Sequence, residues 1–385
     1  MLNTSLRLQI IAFAAIRMVL NTMHRMVYPF LAVFSRGLGV DLSTLSLVLT
    51  GRSVVGMFGP FLAMVSDSRG RKAGMILGLG MFTGGVALVV IWPIYPVFVL
   101  SLMLTTLGKY IFDPPMQAYL GDQVPYERRG LALAITELGW SLAFIAGIPL
   151  MGFLIARQGW MSPFGLLTIL GAGAVILIAR IIPNASDGAG DWPEVWRNFR
   201  GVLRYPPALA GLSIGIAVSA ANEVINLVFG VWLEDAFGLQ IMALGGAAAV
   251  IGLSELGGES LAGGLADRLG KERSVGIGLA ANSLAALILP LLGRSVPGAV
   301  VGLFLFYITF EFTLVSIIPM MTEVMPSARA TLMAFNVTGL SLGRAIGALA
   351  ASPLYAWGMG ASAVAAVILN IVALLALRWL CKGDK

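Results

Sequence analysis

Long apolar runs, each bounded by a short polar or turn-forming stretch, recur along the 385-residue chain at about 9–34, 43–66, 73–91, 97–120, 130–155, 162–183, 206–233, 241–265, 274–292, 298–321, 330–354 and 359–380. Each is near the ~20 residues that a helix needs to cross hydrocarbon with every backbone polar group paired internally. The breaks carry turn chemistry, as at Trp92-Pro93-Ile94-Tyr95-Pro96, Ser162-Pro163 and Val296-Pro297-Gly298. The pattern predicts an all-α membrane protein of twelve transmembrane helices.

Composition agrees with the pattern. Hydrophobic residues make up 58% and charged residues 11%, against about 25% charged in a soluble domain. The first run is read as a retained helix, since no cleavage signal follows it. Cys381 is the only cysteine, so no internal disulfide can form, and His24 is the only histidine, so no zinc set is available. The net charge of +6 is read as topogenic and not as a nucleic-acid footprint. With a cytoplasmic N-terminus, the inside loops hold Arg69, Arg71, Lys72, Arg128, Arg129, Arg197, Arg200, Arg204, Arg268, Lys271, Arg273 and Arg329, and the outside loops only Arg36, Arg157 and Arg294. The positive-inside rule therefore puts both termini in the cytoplasm of a multi-pass inner-membrane protein.

Residues 1–183 form the expected first six-helix bundle and 206–385 the second. The connection 184–205 holds Trp192, Trp196, Phe199 and Leu203 at helical spacing with Arg197, Arg200 and Arg204 between them, as in a helix lying on the membrane surface.

A repeat at an offset of about 200 residues ties the halves together. Asp67-Ser68-Arg69-Gly70-Arg71-Lys72 follows span 2, and Asp267-Arg268-Leu269-Gly270-Lys271-Glu272-Arg273 follows span 8. Asp122 and Glu323 stand in matching segments after spans 4 and 10. Gly139, Ser141, Leu142 and Gly147 match Gly339, Ser341, Leu342 and Gly347, and Asn21 matches Asn222. Six spans are related to six, so the halves run parallel, an arrangement with the substrate site expected at their interface.

The Asp-x-x-Gly-Arg-Lys loop and its second copy resemble the signature of the major facilitator superfamily. The resemblance implies a transporter whose Asp67, Gly70, Arg71, Asp267, Arg268 and Gly270 latch the cytoplasmic gate. In the first copy Ala63 and Ser68 replace the leading glycine and the basic residue. Gly270-Lys271 is not a P-loop, since Leu265 and Glu272 occupy its required positions. Gly139 through Pro149 loosely resembles the fifth-helix motif of the superfamily's antiporters, which leans the reading toward efflux.

Ionisable groups within spans are costly and mark candidate pathway residues. Span 1 places Arg17, Asn21, His24, Arg25 and Tyr28 on one helical stripe, and span 7 places Ser219, Asn222, Glu223 and Asn226 on another. The substrate-binding candidates are Arg17, Asn21, His24, Arg25, Tyr28, Lys109, Asn222, Asn226 and Arg344. Lys109, Asp113 and Gln117 follow i, i+4, i+8, so the lysine and aspartate can pair. Asp113, Glu223, Glu311 and Glu137 are the proton-coupling candidates, because desolvation raises a carboxylate toward physiological pH. Glu255 and Glu259 are further carboxylates within spans, Arg344 is a candidate partner for one of Asp113, Glu223 and Glu311, and Arg52 is expected to snorkel outward.

The expected function is proton-coupled efflux of a small organic solute by alternating access, by a monomer in the lipid bilayer. Uptake or facilitated transport of an anionic, zwitterionic or lipid-like solute is an alternative, as is a non-transporting receptor. No nucleophile–base pair or metal set stands out, so neither enzymatic activity nor a cofactor is expected.

Overall fold

Backbone groups in hydrocarbon have no water to bond, and helices satisfy them within one segment. The computed structural model of the protein follows that rule. It describes residues 4–59, 70–183, 200–325 and 329–383. The helices are α1 Thr4–Arg25, α2 Leu31–Leu38, α3 Leu42–Met57, α4 Arg71–Ile91, α5 Tyr95–Gln123, α6 Tyr126–Leu142, α7 Ile148–Gln158, α8 Ser162–Ile181, α9 Pro206–Asn226, α10 Phe229–Phe237, α11 Ile241–Leu269, α12 Lys271–Leu292, α13 Val296–Val324, α14 Arg329–Tyr355 and α15 Met359–Gly383. A π turn, Ala143–Gly147, joins α6 to α7. Eleven helices among the described residues are long and apolar enough to cross a membrane; α2 and α3, which meet at 112°, bring the count to twelve if they form one span.

Two compact units emerge from the packing. Unit 1 comprises Met1–Val40, Phe58–Gly190 and Ile241–Ala249; unit 2 comprises Asp41–Met57, Asp191–Gln240 and Val250–Lys385. In unit 2, α3 packs on α14, and the Thr338 hydroxyl donates to the Met57 carbonyl at 3.0 Å. In unit 1, the start of α11 packs on α7, where a Cβ on Gly245 would lie 3.2 Å from Pro149. Residues 184–199 of the expected surface helix lie outside the described residues. Residues 200–204 are helical, and Val202 is buried among α9, α12, α13 and α15 residues.

The repeat reappears as packing. A Cβ on Gly78 would meet the Phe112 backbone at 2.8 Å, and one on Gly278 would meet the Phe312 ring at 3.1 Å. Gly147 abuts Thr22, and Gly347 abuts Glu223, one residue after the matched pair Asn21 and Asn222. Such glycines let helix backbones approach closely where no hydrophobic force holds helices together in lipid. Gly70 and Gly270 have φ of +86° and +88° at the starts of α4 and α12, a conformation that a side chain would strain.

Candidate functional site

The middle of unit 1 holds a network of four charges. Arg17 on α1 reaches Asp113 on α5 (Nε to Oδ1, 3.3 Å) and Glu137 on α6 (Nη1 to Oε1, 2.5 Å). Lys109, one turn before Asp113, contacts its other oxygen at 2.7 Å. Side-chain exposure grades outward, from 6% at Arg17 and 14% at Asp113 to 48% at Glu137. Gln117 donates to Glu137 at 3.5 Å. Gly139 places α6 against α1, since a Cβ there would lie 2.9 Å from the Arg17 Cβ. That close approach brings Glu137 and Arg17 together.

Farther along α1 the basic groups meet aromatic rings. The Arg25 guanidinium lies 4.2 Å from the Trp140 ring centre and 3.5 Å from that of Phe144. It donates to the Trp140 carbonyl at 3.1 Å. His24 and Lys109 also neighbour the indole, at 6.4 Å between ring centres and 5.9 Å from Nζ respectively. Asn21 is fully buried, and neither its amide oxygen nor its nitrogen has a hydrogen-bond partner among the described residues. Tyr28 is buried in the turn between α1 and α2.

Unit 2 is built differently at the matching level. Tyr307 donates to Asn226 at 2.7 Å, and Asn226 donates to Glu223 at 3.2 Å. Ser219 donates to the Leu340 carbonyl at 2.8 Å. Asn222 is buried, and its oxygen has no hydrogen-bond partner among the described residues. Glu255 and Glu311 are buried; Glu259 and Arg344 are half-buried. A Cβ on Gly258 would lie 2.8 Å from the Glu311 Cβ, so α11 and α13 touch beside that acid.

The signature loops form a matched pair of ion contacts that sequence reasoning missed. Arg71 bonds the Ala118 carbonyl at 2.7 Å and pairs with Asp122; its repeat mate Lys271 pairs with Glu323. The repeat had displayed both acids, but not that the loops after spans 2 and 8 reach the ends of spans 4 and 10. Asp67 and the Asp267 side chain lie outside the described residues, and Arg268 is exposed. Arg52 does not snorkel outward: it is 2% exposed, on the helix α3 that packs against α14. The Trp140–Phe144 bracket and the π turn were also missed. Pro149 was the available signal, because its ring clashes with the carbonyl at 145 and offers it no N–H.

The model of the Major Facilitator Superfamily matches residues 13–348. The inner membrane transport protein YdhP of Escherichia coli K12 is 27% identical over 351 residues, covering 90% of this chain and 88% of that protein. The multi-drug resistance efflux pump PmrA of Streptococcus pneumoniae is 24% identical, covering 85% and 84%. The crystal structure of a bacterial homologue of the human lysosomal transporter Spinster, inward-facing and unoccupied, covers 99% of this chain and 98% of its own at a TM-score of 0.78 and 15% identity, a likeness of fold. A family model spanning most of the chain, on a multi-pass helical protein with a repeated signature loop, makes this chain a member of the major facilitator superfamily of membrane transporters.

Proposed function

We propose that the protein is a proton-coupled exporter of a small organic solute, working by alternating access between two six-span halves, 1–183 and 206–385, as a monomer with both termini cytoplasmic. The observation that carries this reading is Arg17 shared between a deep carboxylate, Asp113, and a half-exposed one, Glu137. A proton arriving at Glu137 removes one of Arg17's two anionic partners. Arg17 then turns wholly to Asp113 and competes with Lys109 for it. A proton added at one end of the network thus changes which cation is held at the other, and cargo competes for the cation released. Breaking such a pair in a low-dielectric site is costly, so one proton can bias a conformational equilibrium substantially. The exporting direction is supported by the similarity to PmrA, a multi-drug efflux pump.

Asn21, His24, Tyr28, Asn222, Asn226 and Arg344 are proposed to line the cargo pathway. Glu223 and Glu311 are proposed as second-half acids in the same cycle. The loops bearing Asp67, Gly70, Arg71, Asp267, Arg268 and Gly270 are proposed as the cytoplasmic latch.

The test is flux in proteoliposomes loaded with a pH-sensitive dye, using ethidium, benzoate and a lysophospholipid as cationic, anionic and lipid-like probes. Flux of at least one probe should accelerate with an opposing proton gradient and move protons stoichiometrically. Glu137→Gln should keep probe exchange while losing its pH dependence. Probe flux that is indifferent to the gradient would overturn proton coupling.

A further inference from the structure

The first span breaks directly after Arg25. Residues Met26–Phe30, with Pro29 among them, form turns before α2 begins. Span 7 breaks at the matching place, where α9 ends at Asn226 and α10 begins at Phe229. The two halves differ in what meets the break. In the first half, α6 passes into the π turn Ala143–Gly147, whose exit is marked by the Ile148 N–H bonding the Ala143 carbonyl, five residues back. Pro149 explains that register, since an α turn would set its ring against the carbonyl at 145. In the second half the matching residue is Leu349, and α14 runs unbroken from Arg329 to Tyr355. The residue matching Arg25 there is Asn226. The arginine and the π turn occur together in one half, and neither occurs in the other.

The contact between them is specific. Trp140 and Phe144, four residues apart, bracket the change of helical register. The Arg25 guanidinium lies over both rings, at 4.2 and 3.5 Å, and its Nη1 donates to the Trp140 carbonyl. At the far end of the π turn, Gly147 sits directly against Thr22, one turn before Arg25. The π turn is therefore held at both ends by the last turn of α1. Arg25 itself is 4% exposed, whereas the indole it fixes also neighbours Lys109 and His24. A planar guanidinium can stack on two rings and donate in its own plane; an ammonium cannot do both. The cation also stands at the C-terminal end of α1, where the helix dipole favours positive charge.

We propose that Arg25 is a positioning residue and not a cargo ligand: it braces the π turn of the fifth span against the break in the first and so fixes Trp140 beside Lys109. The brace keeps the broken end of span 1 and the irregular turn of span 5 moving together during transport. This proposal rests on the transport reading for its purpose, but its structural core is measurable without any flux.

Hydrogen exchange on the full chain in lipid nanodiscs tests it. Arg25→Met should speed exchange of amides 141–152 about tenfold or more, the size expected when a hydrogen bond to a charged group is lost. Arg25→Lys should give a smaller increase in the same stretch, with α4 and α8 unchanged in both. If Arg25→Met does not fold, Arg25→Lys carries the comparison. Phe144→Leu should raise exchange in the same stretch, and combining it with Arg25→Lys should add less than the two effects summed. In the flux assay, Arg25→Lys should lower the maximal rate of whichever probe the parent moves, with its half-saturating concentration unchanged. Unchanged exchange at 141–152 in a folded Arg25→Lys protein, or acceleration spread equally over α4 and α8, would overturn the brace. A raised half-saturating concentration at an unchanged maximal rate would place Arg25 on the cargo and overturn the positioning role.

Discussion

Asp113→Asn tests how the buried charges of unit 1 are balanced. Asp113 accepts contacts from Lys109 at 2.7 Å and Arg17 at 3.3 Å, and all three side chains are at most 14% exposed. The amide keeps the shape and removes the charge, leaving two cations with Glu137 as the carboxylate of the network. Removing one partner of a buried ion pair costs roughly 3–5 kcal/mol, because the uncompensated charge stays desolvated. Glu137 is 48% exposed and still bonds Arg17, so solvent screening places the expected loss near the lower end, about 3 kcal/mol. Replacing Asp113 and Lys109 together by apolar groups leaves one cation, Arg17, still paired with Glu137, so Lys109→Met with Asp113→Leu should lie within about 1–2 kcal/mol of the parent. Unfolding of the purified full chain by SDS in mixed micelles reads both changes. A loss below about 1 kcal/mol for Asp113→Asn would mean that water reaches the pair and the network is not desolvated. A double variant as unstable as the single would refute the charge-balance argument itself.

In unit 2, Asn282 donates to the Phe306 carbonyl at 2.9 Å and to Thr309 at 3.1 Å, and it accepts from Asn370 at 2.9 Å. Asn282→Leu should cost about 2 kcal/mol, because interhelical bonds in membranes average ~0.6 each and Asn370 loses its acceptor; adding Asn370→Leu should recover part of that loss in the same unfolding assay. Gly347→Ala would put a Cβ 2.6 Å from that of Glu223 and 2.7 Å from the Ala220 carbonyl. It should destabilise by about 1–3 kcal/mol, whereas Gly360→Ala, with open space around it, should be near neutral. The Asp41 carboxyl is held below its ordinary value by hydrogen bonds from the Thr44 hydroxyl and amide. A depressed folded value means that its contribution to stability is present above the unfolded value near pH ~4 and is lost as pH falls through the folded one. Asp41→Asn should remove that component of a pH-dependent melting curve and leave the curve above pH ~6 parallel to the parent's.

Much of the candidate site was legible because helical periodicity projects a sequence onto a face. Lys109 and Asp113 stand four apart, so their pairing follows from the helix alone. The stripe through Arg17, Asn21, His24 and Arg25 follows the same rule. Arg17's choice of partners does not, because Asp113 and Glu137 lie on other helices and are reached only where Gly139 admits α6 against α1. Arg25 reads as a cargo candidate from sequence because an arginine inside a span needs a reason. Its rings and carbonyl partner lie 115 residues away, and no local pattern announces them. Arg71 and Lys271 were legible as repeat mates, while their pairing with Asp122 and Glu323 depends on how adjacent helix ends meet.

The sequence by itself determined the solvent, the helices and the repeat. Twenty apolar residues in lipid have one inexpensive backbone conformation, and an offset of about 200 residues survives as paired glycines and paired loops. Only the tertiary structure decided which elements share a unit. It placed Asp41–Met57 with the second unit and Ile241–Ala249 with the first, and it buried Arg52 of the former segment. The physical reason is that hydrophobicity orders helices with respect to the membrane and not with respect to one another. Neighbours in lipid are chosen by close packing at small residues and by which buried polar groups find partners. Those are properties of pairs of helices, and a single stretch of sequence does not carry them.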